Sequence, residues 1–174
     1  EKILKNFLDD KELKYSFKED KELFPFVAKA ISNSGVIGFF DGKAEFGPRA
    51  LGSRSILADP RNEKAQQLLN EKIKKRESFR PFAPSILEEY GNEFFENYQF
   101  TPFMERVLPI KKEKQKLIPA VTHVDGTGRL QSVSKLLRPR YHQLIFEFFK
   151  LTKIPILINT SFNENEPVVN IPEE

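Results

Sequence analysis

The sequence predicts a mixed α/β fold: a twisted mixed sheet with flanking helices. Short apolar runs bounded by turn residues, Val36-Ile37-Gly38-Phe39-Phe40 and Ile154–Ile158, read as buried strands. Apolar residues at helical spacing, Phe24, Val27, Ala28 and Ile31 in one stretch and Tyr141, Leu144, Ile145, Phe148 and Leu151 in another, read as amphipathic helices. The two patterns intermix along the chain with hairpin signals between them, which favours α/β over a bundle or a sandwich.

In chain order, residues 1–20 alternate charges with isolated apolar residues and are expected to form a linker or peripheral strap, ahead of one domain over 21–174. A helix is expected near 22–33, ended by Asn33-Ser34-Gly35, because glycine accepts the left-handed conformation that closes a helix. Val36–Phe40 follows as a strand, and Asp41-Gly42 opens a loop. Ser55–Ala58 is a second strand, and Asp59-Pro60-Arg61-Asn62 supplies turn and cap chemistry for a helix near 62–76. Phe82–Leu87 is strand-like, and 90–116 reads as irregular. Leu117–Val124 reads as a strand, Asp125-Gly126-Thr127-Gly128 as a turn, and Leu130–Ser134 as the returning strand of a hairpin. Pro139 sits at the start of a helix running to about 152, where its missing N–H costs nothing.

The chain has 174 residues, enough for one domain with a real core. With 39% hydrophobic and 30% charged residues it has the composition of a soluble globular protein. Seventeen Phe and no Trp point to a core built on Phe and Leu. The absence of Cys excludes a disulfide framework, a thiolate nucleophile and a Cys-based metal site. No apolar run approaches the roughly 20 residues that span a bilayer. No signal-peptide pattern is visible, and a cytoplasmic location is expected. The chain begins at Glu1 and stops at Ile171-Pro172-Glu173-Glu174, and is read as a piece of a longer polypeptide.

Residues 41–80 hold ten Lys or Arg against six Asp or Glu, whereas the whole chain is only +3. Arg49 and Arg54 flank the small-residue stretch Ala50-Leu51-Gly52-Ser53, and Arg76 and Arg80 flank Glu77-Ser78-Phe79 before Pro81. Arginines presented from tight turns suit planar or tetrahedral oxyanions, because each guanidinium donates two parallel hydrogen bonds. A ligand bearing phosphate or carboxylate is expected. The basic segment lacks regularly spaced aromatics, which argues against nucleic acid.

Four blocks carry a resemblance. They are Gly42-Lys43-Ala44-Glu45-Phe46-Gly47-Pro48-Arg49-Ala50-Leu51-Gly52-Ser53-Arg54-Ser55-Ile56-Leu57-Ala58, then Lys74-Lys75-Arg76-Glu77-Ser78-Phe79-Arg80-Pro81-Phe82-Ala83-Pro84-Ser85, then Pro119–Arg129, then Asn159-Thr160-Ser161-Phe162-Asn163. In this order they resemble the C-terminal domain of O-carbamoyltransferases of the nodulation-factor, cephamycin and aminoglycoside type, over about residues 25–174. That domain is similar to the YrdC-like fold of threonylcarbamoyl-adenylate synthases and hydrogenase-maturation carbamoyltransferases. Arg80 stands where those proteins have a Lys before Pro, and Lys43 where many family members have Arg.

The resemblance implies a domain in which carbamoyl phosphate and ATP, with Mg²⁺ on the nucleotide, give carbamoyl adenylate and pyrophosphate. A metal-binding N-terminal domain of the same polypeptide would then move the carbamoyl group to an acceptor hydroxyl. Such chemistry is mostly positioning and charge stabilisation, which arginines supply without a nucleophile. Arg76 and Arg80 are expected as the phosphate clamp, helped by Lys75. Arg49 and Arg54 would hold the carbamoyl-bearing oxyanion or the α-phosphate. Arg129 would close over the pocket. Lys43, Thr160, Ser161 and Asn163 complete the expected nucleotide- and substrate-binding set, with no protein metal ligand. These cations should converge on one cavity.

Plainer readings stand beside these. Lys72, Lys74 and Lys75 lie near a helix end, where cations favour the dipole. Glu45 is a ligand-side base or, by preference, the salt-bridge partner of Arg49. His123 reads as a hydrogen-bonded core residue and His142 as a surface one. The alternative function is an RNA- or nucleotide-binding module of the same fold without a catalytic role.

Overall fold

The computed structural model of the protein describes residues 2–164 and 166–174. Its helices are α1 (Lys2–Asp10), α2 (Asp20–Ser32), α3 (Glu63–Leu68), α4 (Gly91–Phe94), α5 (Lys112–Gln115) and α6 (Pro139–Thr152). Its strands are β1 (Ile37–Phe40), β2 (Arg54–Ala58), β3 (Ala83–Leu87), β4 (Arg106–Pro109), β5 (Thr127–Val133) and β6 (Ile156–Ser161). The strands form one mixed six-stranded sheet in the order β1-β2-β6-β3-β5-β4, flanked by helices. All neighbouring pairs are antiparallel except β3 and β5. The mixed α/β class expected from the sequence is therefore the one observed.

The central strands β2 and β3 are buried along their whole length, and β6 is buried from Ile156 to Asn159. Helix α2 packs on α6, which in turn lies against β3 and β6. Phe24, Ala28 and Ile31 of α2 meet Tyr141, Leu144, Ile145 and Phe148 of α6 in one apolar cluster with Leu57, Leu87 and Leu157. Each fully buried Leu, Ile or Phe of this cluster contributes about 1.5–3 kcal/mol. The helix expected at 139–152 forms over that span, with Pro139 in its first turn and Lys153 closing it in the left-handed conformation.

Several expectations need correction. Val36–Phe40 was expected as a buried strand, but β1 is an edge strand whose residues alternate between half-buried and exposed, since only β2 pairs with it. Leu117–Val124 is not a strand. Pro119 cannot donate to a ladder, and Pro119–Val121 forms a 3-10 turn. The hairpin partner of β5 is instead β4, inside the stretch expected to be irregular. Its two apolar residues, Val107 and Leu108, are adjacent and do not alternate with polar ones, so the period-2 strand signal is missing. The expected strap carries α1. His142 is buried at 6% exposure with Nε2 3.0 Å from Glu89 Oε1, because its helix position faces the Glu88–Tyr90 turn rather than solvent.

Candidate anion site

Strand register gathers the site. Side chains alternate between sheet faces, so directly paired residues share a face. Ala83 pairs with Asn159, Ser85 with Gln131, and Ser55 with Ser161. Asn159 and Ser161 of β6, Ala83 and Ser85 of β3, and Arg129 and Gln131 of β5 therefore lie on one face. A cavity of about 120 Å³ opens there, lined by Arg49, Arg76, Arg129, Asn159, Thr160 and Ser161 with Pro48, Ala50, Pro81, Phe82, Ala83 and Met104. Alternation along β6 assigns the Thr160 side chain to the opposite face, although the residue borders the cavity.

Arg49 arrives on the loop before β2, and that loop is folded around Glu45. One carboxylate oxygen of Glu45 accepts the backbone N–H of Leu51 at 2.7 Å, of Ser53 at 2.7 Å and of Arg54 at 3.3 Å. One Glu45 oxygen is thus engaged by the backbone of its own loop, and among the described residues no ion pair joins Glu45 to Arg49. Gly52 within the turn has φ +95°, and a Cβ there would lie 2.2 Å from the Tyr141 ring, so both backbone and space demand glycine. From below, the buried side chains of Gln131 and Asn159, both hydrogen-bonded to Ser85, hold the same loop. Gln131 Nε2 donates to Leu51 O at 2.9 Å and Asn159 Nδ2 to Ala50 O at 3.1 Å.

Arg76 arrives by a different device. Helix α3 runs into a π-helical turn, Leu69–Ile73, and Lys75 then adopts a left-handed φ of 46°. Buried Asn70 anchors this reversal. Its Oδ1 accepts Arg76 Nε at 2.7 Å, and its Nδ2 donates to Ser78 O at 3.0 Å and Arg80 O at 2.8 Å. The reversal sends neighbouring lysines to opposite sides. Lys75 is exposed and pairs with Glu164 at 2.7 Å. Lys74 is buried at 2% exposure, and its Nζ donates to Ser161 O at 2.6 Å, Asn163 O at 2.7 Å and Asn163 Oδ1 at 2.8 Å. Ser161 Oγ in turn donates to Asn163 Oδ1 at 2.7 Å. Read on sequence as a helix-end cation, Lys74 is the residue that ties the Lys-x-Arg loop to the Ser-x-Asn turn.

Of the expected site residues, Arg49, Arg76, Arg129, Thr160 and Ser161 line the cavity, and Asn163 is joined to it through Lys74 and Ser161. Arg54, Arg80, Lys43 and Lys75 are not in its wall. Arg54 is 4% exposed and stacks 3.5 Å over the Phe40 ring. Its guanidinium donates to the carbonyls of Asp41, Gly42, Ser53 and Asn170. Arg80 is exposed and lies 3.7 Å from Glu77, and Lys43 is exposed on the loop. His123 is half-buried beside the β5 entry turn, its Nδ1 3.1 Å from Thr127 Oγ1.

The electrostatics fit an anion. Burial lowers the pKa of Arg129, and the charge of Arg49 lowers it further. Burial and the nearby Arg80 act likewise on Arg76. Burial, reinforced by Arg76, lowers Lys74 from 10.5 to about 8. Among the described residues, no carboxylate lies within ion-pair distance of Arg49, Arg76 or Arg129. No group of three or more His, Asp or Glu suited to a metal occurs among them either. Clustered, partly desolvated guanidiniums of this kind are stabilised by an incoming anion. No helix of the described residues is long and apolar enough to cross a membrane.

The architecture is thus that of an α/β domain, a six-stranded mixed sheet with an arginine-lined cavity, a candidate anion site, at one end of β6. The profile of the family described as Carbamoyltransferase C-terminus matches residues 28–174, and the chain belongs to that family. It is 54% identical to nodulation protein NolNO of Sinorhizobium fredii over 147 residues, which cover 82% of this chain and 22% of that protein. It is 53% identical to nodulation protein NolO of Bradyrhizobium diazoefficiens over 143 residues, 80% of this chain and 26% of that protein. An uncharacterized Synechocystis protein, sll1178, is 44% identical over 92% of this chain and 29% of its own length. The chain thus spans between 22% and 29% of the length of these curated relatives.

Proposed function

We propose that this carbamoyltransferase domain binds carbamoyl phosphate and ATP at the arginine cavity and forms carbamoyl adenylate. The balance is carbamoyl phosphate, ATP and water giving carbamoyl adenylate, pyrophosphate and orthophosphate. A carbamate oxygen bonds to the α-phosphorus of ATP as the bond to the departing pyrophosphate breaks. A metal-binding N-terminal domain of the same polypeptide then transfers the carbamoyl group to an acceptor hydroxyl, releasing AMP. The observation that carries the reading is the convergence of Arg49, Arg76 and Arg129 on one cavity without a carboxylate partner. The cavity, about 120 Å³, is below the roughly 300–1,000 Å³ typical of pockets for drug-sized ligands. It suits a phosphoryl or carbamoyl group, with the nucleoside extending through the mouth.

In this reading Arg76 and Arg129 stabilise charge that moves toward pyrophosphate, and Arg49 holds the carbamoyl-bearing oxyanion. Lys74 fixes the Ser161–Asn163 turn and adds positive charge beneath it. Arg80 and Lys43, exposed outside the cavity wall, would meet outer phosphates or Mg²⁺-bound water in this reading. Dependence on ATP and carbamoyl phosphate assigns the reaction to the cytoplasm. The test is ATP–pyrophosphate exchange in the full-length protein. Exchange that requires carbamoyl phosphate is expected. Exchange that proceeds without it, or none at all from a folded protein that binds RNA instead, overturns the reading.

A further inference from the structure

Asn159 lies at the centre of the sheet, 2% exposed, in the wall of the arginine cavity. Its amide orientation is fixed by acceptors. Nδ2 faces Ala50 O at 3.1 Å, Gln131 Oε1 at 2.9 Å and Ser85 Oγ at 3.1 Å. Ala50 O is a main-chain carbonyl and only accepts. Ser85 spends its proton on Gln131 Oε1 at 2.6 Å, and Gln131 is itself oriented because its Nε2 donates to the carbonyl of Leu51 at 2.9 Å. Turning the Asn159 amide over would set its oxygen against three acceptors. Oδ1 therefore points away from this network, and it is buried without a hydrogen-bond partner among the described residues.

A buried, unpaired carbonyl oxygen is costly, and such atoms in well-packed proteins call for a partner. Here the atom belongs to a residue in the wall of a cavity whose charged groups are all donors. We infer that Asn159 Oδ1 accepts a hydrogen bond from the NH₂ of the carbamoyl group, making Asn159 the residue that distinguishes a carbamoyl phosphate from an acyl phosphate of the same shape. The arginines read the oxyanions, which carbamoyl and acetyl phosphate share. Only the amide presents N–H where acetyl phosphate presents a methyl. A methyl there leaves Oδ1 unpaired, and a site built to pair a polar group rejects the analogue that lacks it. This inference rests on the proposed function above.

The experiment compares carbamoyl phosphate, acetyl phosphate and inorganic phosphate as ligands of the full-length protein, by direct titration and by competition in the exchange assay. In the wild type, acetyl phosphate should bind at least about tenfold more weakly than carbamoyl phosphate. Asn159→Ala should shrink that gap to within about threefold, losing carbamoyl phosphate affinity more than acetyl phosphate affinity. Ser85→Ala disturbs the same buried network but keeps Oδ1, so the gap should persist. A purely structural role for Asn159 weakens both ligands equally and leaves the gap intact, which overturns the inference. So does a wild type that binds the two acyl phosphates within about threefold, a result that needs no variant to fold. Carbamoyl phosphate binding no better than inorganic phosphate, with no exchange, defeats the proposed function and this inference with it.

Discussion

Lys74 Nζ lies 2.6 Å from the carbonyl oxygen of Ser161, a residue 87 positions further along the chain. The bond joins the loop that presents Arg76 to the turn that ends β6, and so links two walls of the cavity. The lysine does this at some cost. Burial first, and the Arg76 charge second, bring its pKa from 10.5 to about 8.

A pH dependence follows, with a definite sign. The folded pKa lies below the ordinary value, so folding penalises the charged lysine. That penalty is present in full below pH about 8 and is relieved as pH rises from about 8 toward 10.5. Ligand affinity moves the other way, since the neutral amine no longer adds charge beneath Ser161. Pyrophosphate affinity of the full-length protein, measured by calorimetry, should decline as pH rises through about 8, and Lys74→Arg should flatten that profile. A wild-type affinity constant up to pH about 10 would deny Lys74 an electrostatic role.

Arg76 is where chemistry and stability should separate most clearly. Its Nε is committed to Asn70 at 2.7 Å, which orients the guanidinium in the cavity wall. Arg76→Ala should cost about 2–4 kcal/mol in the exchange reaction, as for other preorganised charge stabilisers. Arg76→Lys should recover only part, because an ammonium cannot both bond Asn70 and donate twice to a phosphate. Exchange rates and melting curves for both variants decide the matter. A folded Arg76→Ala protein with wild-type exchange removes Arg76 from the site.

Arg54 should behave in the opposite way. Its guanidinium is spent on four main-chain carbonyls and the Phe40 ring. Arg54→Ala leaves those carbonyls without their donor and should destabilise the fold by about 2–4 kcal/mol, read from denaturant unfolding. The expectation drawn from sequence, that Arg54 touches ligand, predicts instead a raised KM in a protein of unchanged stability.

The contrast between these two arginines shows how far the sequence could be read. Arg49, Arg76, Arg129 and Ser161 were legible as a converging set because each lies in a short block of distinctive residues, although strands far apart in sequence bring them together. Arg54 sits in the same kind of block, and nothing local says whether a guanidinium faces a ligand or a carbonyl. Lys74 and Lys75 shared one helix-end reading, yet Lys74 is buried and Lys75 is exposed beside Glu164. Helical spacing continued through residue 76 does not anticipate a π-helical turn and a left-handed lysine, and these decide which neighbour is buried. Strand β4 was missed for a related reason. An exposed edge strand offers no apolar alternation, so only its pairing with β5 identifies it.

Glu45 gives the last prediction and separates three roles. One of its oxygens gathers the N–H groups of Leu51, Ser53 and Arg54, and Arg49 lies between that carboxylate and those donors along the chain. The carboxylate is therefore a template for the loop that carries Arg49. Glu45→Gln keeps an acceptor of the same shape but loses the charge that strengthens such bonds, and should retain most activity. Glu45→Ala leaves up to three donors unsatisfied. It should lower stability by about 1–3 kcal/mol and raise the KM for carbamoyl phosphate more than it lowers kcat, because Arg49 is then less well held. A catalytic base would instead lose turnover in Glu45→Gln with no change in melting. A salt-bridge partner of Arg49 would make Arg49→Ala and Glu45→Ala equal in their effect on stability and non-additive when combined. Melting and exchange measured on the two single Glu45 variants, Arg49→Ala and the Arg49→Ala/Glu45→Ala double variant separate these outcomes. The geometry requires Glu45→Ala to be the more destabilising, since Arg49 is exposed and makes no ion pair among the described residues.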